Sequence, residues 1–179
     1  MDALRSAAKT MGEWDEAIVA FDRRGGDGWQ IAMAQPLRAF RAAVYLQACL
    51  RRMDKRYATR IALSVSKGTL PEGPNPDPNA AHGPAFTRSG HLLEKLGPHS
   101  LMGHARGGAQ QAAIVLADYI AQGWTQAQAR AVAEQLVPKP GPRSEAAKRL
   151  GISRQAVDQA LWAAGFPAID AAIQAWEDI

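Results

Sequence analysis

The sequence predicts an α+β N-terminal domain over residues 1–107 joined to an all-α domain over 108–179. Three observations carry this. Two strand-like runs, 18–23 and 28–34, flank the glycine-rich turn GGDG at 25–28, and RIALSV at 60–65 alternates as a strand does. From residue 108 onward the apolar spacing is helical throughout, which places the boundary near 106–110. Within that second part, RSEAAKRLGISRQAVDQALWAAG at 143–165 reads as two short helices joined by a sharp turn.

The elements follow in order. Residues 2–17 are charged and helix-forming without an uninterrupted apolar run, so they spell neither a signal peptide nor a membrane span, and a cytoplasmic protein is expected. The two strands and their turn come next, then an amphipathic helix over 36–53 opened by Pro36. The strand at 60–65 leads into KGTLPEGPNPDPNAAHG at 67–83, too broken by Pro and Gly for regular structure and expected to be exposed. A helix over 84–96 and a weak strand over 100–105 close the first domain.

A helix over 108–122 links the two domains. The helix over 123–137 takes Thr125 as its cap and shows Ala129, Val132, Ala133 and Leu136 on one face. The last helix, 166–179, places Ile169, Ala172, Ile173 and Trp176 at helical spacing. Both stripes predict core or dimer contacts rather than a ligand site.

Composition bounds the chemistry. The apolar content of 47% with five tryptophans supports a buried core, and the single cysteine, Cys49, sits in an apolar helical pattern as a core residue. No internal disulfide is possible. The net charge of +4 makes nucleic acid a reasonable partner, and its distribution says more than its total. One cluster, Arg51, Arg52, Lys55, Arg56 and Arg60 around Asp54, begins at a helix end, where solvated cations face the negative end of the dipole. The other, Lys139, Arg143, Lys148, Arg149 and Arg154 around Glu145, lies in and before the paired short helices.

Those helices meet the demands of a helix-turn-helix. Ser144 is expected to cap the first and Ser153 the second, Gly151 can take positive φ at the turn, Ala147 is small where two backbones approach, and Ile152 and Val157 are expected to share a core. Polar side chains then occupy the first turn of the second helix, the part that enters a DNA groove. Arg154, Gln155, Asp158 and Gln159 are the candidates for base contact in double-stranded DNA, since Arg pairs with guanine, Gln with adenine, and Asp accepts from cytosine. Ser153, Lys148, Arg149, Arg143 and Lys139 are the candidates for phosphate contact. A single such module covers few base pairs, so a homodimer is expected.

The order of strand, GGDG turn, strand, helix, RIALSV strand, long loop and the GPAFTRSGHLLEKL helix resembles the class III nucleotidyl cyclase-like fold. It is closer still to small bacterial SatD-type proteins, in which such a domain precedes a helix-turn-helix. The resemblance implies a ferredoxin-like, cyclase-like sheet domain. It also implies that Asp27 stands at the second of the two metal-binding aspartates of active cyclases. The first of them, carried on a leading strand in the relatives, has no counterpart before the helix at 2–17, and Arg88 cannot be aligned with the cyclase transition-state residues. A lone carboxylate holds magnesium poorly, so Asp27 is only a weak metal candidate and more a turn residue.

The four histidines show no ligand spacing, and no nucleophile elbow or phosphate-binding loop appears. No catalytic residue, metal or cofactor is expected. The sequence therefore predicts a dimeric, sequence-specific DNA-binding transcriptional regulator that does not span a membrane and is not an enzyme. The alternative is a nucleotidyl cyclase or nucleotide-binding sensor with a helical tail.

Overall fold

A computed structural model describes residues 1–14, 18–73 and 75–178, and the fold is α+β. The chain runs α1 (Asp2–Gly12), β1 (Val19–Arg23), β2 (Trp29–Met33), α2 (Ala39–Arg51), β3 (Ile61–Leu63), α3 (Pro84–Lys95) and β4 (Met102–His104). It continues with α4 (Gly108–Gln122), α5 (Gln126–Gln135), α6 (Arg143–Leu150), α7 (Arg154–Ala163) and α8 (Phe166–Glu177). Residues 15–17 of the first expected helix lie outside the described residues.

The strands form two pairs. β1 and β2 make an antiparallel hairpin with Val19 opposite Met33 and Arg23 opposite Trp29. β3 and β4 run parallel, Ile61 beside Met102 and Leu63 beside His104, joined by a crossover that contains α3. The strand expected over 60–65 is thus confined to three residues. The long loop is tied at its ends by a bridge between Thr69 and His82, and Pro78 in a short 3-10 turn is buried beneath it.

The GGDG turn is explained by its backbone. Gly25 has φ +58°, and a Cβ at Gly28 would stand 2.4 Å from the Arg24 carbonyl oxygen, so both positions need glycine for steric reasons alone. Asp27 is exposed beside them.

The helix expected to be amphipathic over 36–53 instead opens with a 3-10 turn at Pro36–Arg38, and all eleven residues Phe40–Leu50 of α2 are buried. Helices α1, α4, α5 and α8 and strand β3 surround it. Each large apolar side chain buried here contributes roughly 1.5–3 kcal/mol, and Cys49 is among the buried residues. Two polar residues of α2 are buried with partners. Gln47 donates to the Thr59 carbonyl at 2.6 Å, and Arg41 reaches Glu177 of α8. Arg41 Nε donates to Glu177 Oε1 at 2.7 Å and its Nη2 to Oε2 at 2.8 Å, while Arg38 Nη1 donates to Oε2 at 2.6 Å. A further bond from Arg41 to the Leu136 carbonyl, at 3.1 Å, fixes the end of α5. The region expected as a domain boundary, 106–110, spans the loop before α4 and the start of α4 itself, and one apolar core from Leu4 to Trp176 runs across it.

Candidate nucleic-acid interface

Helices α5, α6 and α7 pack on one another around small and β-branched residues. Ala129, Val132, Ala133, Ala146, Ala147, Val157 and Leu161 are buried there. The alanines permit close backbone approach, and Val157 and Leu161 fill the space that approach leaves. Thr125 starts α5 with a reciprocal cap, its Oγ1 accepting from the Gln128 N–H at 3.2 Å while Gln128 Oε1 accepts from the Thr125 N–H at 2.7 Å.

The turn between α6 and α7 is set by three residues. Gly151 takes φ +67°. The Ile152 N–H donates to the Ala147 carbonyl at 3.1 Å and the Gly151 N–H to the Lys148 carbonyl at 3.2 Å, the two bonds of a Schellman ending. Ser153 then caps α7, its Oγ accepting from the Ala156 N–H at 3.1 Å. Two expectations need correction. Pro142, not Ser144, occupies the cap position of α6, because Pro142 holds the extended backbone and Ser144 already lies in the first helical turn. Ile152 is 45% exposed rather than core, since the left-handed Gly151 directs the chain outward just before it and Val157 and Leu161 fill the space between the helices.

The outer face of α7 carries Arg154, Gln155, Asp158 and Gln159. Arg154, Gln155 and Gln159 are exposed, and Asp158 is half-buried by its ion pairs. Its Oδ1 lies 2.7 Å from Arg143 Nη1, and its Oδ2 lies 3.8 Å from Arg154 Nε. One carboxylate thereby holds two cations, one from each short helix, and ties the start of α6 to α7. Lys148 pairs with Glu145 at 3.0 Å on the exposed side of α6, and Arg149 pairs with Glu134 of α5 at 2.5 Å. Lys139 is exposed in the loop before α6 and has no ion-pair partner among the described residues, and the same holds for Arg130 on α5. Over residues 123–165 six cations stand against three anions, an excess of three positive charges.

The first basic cluster lies close to this module. Gln126 at the start of α5 donates to the Met53 carbonyl at 2.6 Å, which brings the loop after α2 alongside. There Arg56 grips Asp54 through both carboxylate oxygens, at 3.0 and 2.8 Å, and its guanidinium draws the Asp54 carboxyl down to about 2. Arg60 belongs elsewhere, donating to the Leu93 and Leu96 carbonyls at the end of α3.

One residue of this surface was missed by sequence reasoning. Trp162, 77% exposed, stands one position past the buried Leu161. Helical spacing from Gln155, Asp158 and Gln159 places it on the same outer face, and that periodicity was the available signal. Among the described residues no three His, Cys, Asp or Glu side chains come together as a metal ion would require, and Asp27 belongs to no such group. No helix is long and apolar enough to cross a membrane among the described residues. No known family, no curated protein and no solved structure matches this chain.

Proposed function

We propose that this chain is a sequence-specific DNA-binding transcriptional regulator, acting as a homodimer. One observation carries the reading: the capped, Schellman-turned pair α6–α7 presents exposed Arg154, Gln155 and Gln159 at the start of its second helix, within a locally cationic surface. Such a face fits the major groove, where a helix's first turns meet base edges. Asp158 orients Arg154 and Arg143 in this reading. Lys139, Lys148 and Arg149 supply phosphate contacts, with Arg130 added to them.

The dimer reading is supported by α4, whose Val115, Leu116 and Tyr119 are 41%, 65% and 80% exposed on neighbouring helical positions. Pairing would cover these side chains. In the same reading the N-terminal half is a degenerate cyclase-like domain, supported by the order of its helices, hairpin and GGDG turn.

Selection of bound duplexes from a random DNA pool, followed by anisotropy titration at several salt concentrations, tests the proposal. A recovered motif with a linear fall of log affinity against log salt is the expected result. A pool that stays random after selection, with binding no tighter than to any duplex, overturns sequence-specific recognition.

A further inference from the structure

Between the two strand pairs lies an open groove of about 730 Å³. Successive residues 29–35 and 60–68 line it without a gap. Side chains alternate between the two faces of a strand, so a wall made of every consecutive residue is a strand edge rather than a face. The groove is therefore bounded by one edge of β2 and one edge of β3.

The hydrogen bonds identify which backbone groups those edges offer. The bonds from the Arg24 N–H to Gly28 and from the Ala34 N–H to Ile18 fix the hairpin's bonded pairs at 24 with 28, 22 with 30, 20 with 32 and 18 with 34. The N–H and C=O groups of Trp29, Ile31 and Met33 must then point away from β1. Across the gap, the Ile61 N–H donates to Leu101 and the Ala105 N–H to Leu63, which turns residues 61 and 63 toward β4 and leaves Ala62 and Ser64 pointing outward. No hydrogen bond links these outward groups to any other described residue.

At one end the two edges are tied together, Trp29 Nε1 donating to Thr59 Oγ1 at 2.8 Å. The floor is apolar, with Ala42 and Ala43 of α2 beneath it. Helix α3 borders the groove through Phe86 and Leu93, yet it buries no residue of its own. An amphipathic helix ordinarily buries one stripe, so its apolar side is short of a partner here. The basic rim, Arg24, Arg60 and Lys67 against Glu94, gives the opening a positive balance.

We propose that this groove binds an extended polypeptide segment of a partner protein, which adds as a strand between β2 and β3 and joins the two pairs into one sheet. Two unpaired edges facing one slot demand a ligand with donors and acceptors on both sides at strand spacing, and a peptide backbone in extended form supplies them. The alanine floor and α3 select apolar side chains at alternate positions, and the rim selects acidic flanks. The inference is independent of DNA binding, since no residue of α6 or α7 takes part.

The test is a selection from displayed random nine-residue peptides against the full chain, followed by amide exchange measured by NMR with a recovered peptide. Expected are sequences with apolar residues at every second position and acidic ends, and at least tenfold slower exchange at Ile31, Met33, Ala62 and Ser64. Methylating the backbone nitrogens of alternate residues, which leaves the protein untouched, should weaken binding about tenfold or more for each hydrogen bond lost. Lys67→Glu, which leaves two cations against two carboxylates at the rim, should abolish the preference for acidic ends. Failure to recover any peptide, recovery of helically spaced ones, or binding that leaves those four amides and the methylated peptide's affinity unchanged overturns the proposal. Displacement of a recovered peptide only by small apolar molecules, with no amide protection, would make the groove a small-molecule pocket and overturn it equally.

Discussion

Replacing Glu177 by alanine should destabilise the whole chain, not just its last helix. The Glu177 side chain is 13% exposed and that of Arg41 is 7% exposed, and the two share a two-pronged contact at 2.7 and 2.8 Å. Removing the carboxylate leaves the Arg41 cation buried with the Leu136 carbonyl and without its counter-charge. Breaking one side of such a pair costs about 3–5 kcal/mol, and the greater exposure of Arg38, at 23%, favours the lower end, about 3 kcal/mol. For a chain of this length that corresponds to a fall in Tm of roughly 6–12 °C.

Urea unfolding followed by tryptophan fluorescence measures the loss directly. The joint change Arg41→Met with Glu177→Leu should recover at least half of it, because the most deeply buried cation goes together with the carboxylate. The pH dependence has a definite sign. Burial pushes the Glu177 carboxyl up, but hydrogen bonds from Arg41 and Arg38 outweigh it and hold the group below its usual value of 4.5. A depressed carboxyl stabilises the fold above the unfolded value and loses that contribution as pH falls through the folded one. The gap between wild type and Glu177→Ala should therefore be full at pH 7 and shrink below about pH 4.5. A loss under 1 kcal/mol at pH 7, or one independent of pH, would refute the reasoning.

Other outcomes are equally open to measurement. Arg154→Ala or Gln155→Ala should cost about 1–3 kcal/mol on a selected duplex and relax the preference at one base pair, whereas Lys148→Ala should weaken all duplexes alike and shallow the salt slope by about one. Unchanged affinity and specificity in the first two, with circular dichroism intact, would leave α6–α7 a packing hairpin. Gly165→Ala should lower stability by about 1–2 kcal/mol in thermal unfolding, since φ is +66° and the new Cβ would stand 3.1 Å from Ile120 Cγ2. Leu116→Glu with Tyr119→Glu should yield monomers in sedimentation while the wild type sediments as a dimer. The purified protein should not cyclise ATP or GTP with magnesium or manganese, and turnover that vanished in Asp27→Ala would contradict this.

What could be read from the sequence was what local chemistry decides. The turn at 151–153 is written in adjacent residues: a glycine for the left-handed position, a serine for the cap, and alanines where helices touch. The reach of α2's burial could not be read this way. Arg41 and Gln47 read as solvated polar positions until their partners are known, and Glu177 is 136 positions beyond Arg41. Strand lengths were overestimated for a similar reason. RIALSV alternates over six residues, but β4 offers a ladder to only three of them. Ile152 is apolar and yet exposed, because the backbone direction after Gly151, which residue type does not encode, decides where its side chain goes. The groove was invisible in the sequence, because unpaired strand edges are a property of how strands assemble.

The burial of α2 on every side also bears on how the chain can fold during synthesis. Its neighbours include α1, made before it, but also α4, α5 and α8, made long after. Arg41 waits for Leu136 and then for Glu177, contacts that span 95 and 136 positions. Closing such long loops is entropically costly and slow, so the helix that organises the core cannot acquire its surroundings while the C-terminal helix is still unmade. The emerging N-terminal half would carry a strongly apolar helix without cover for most of translation, and the interval before α8 arrives is when the chain is most exposed to aggregation.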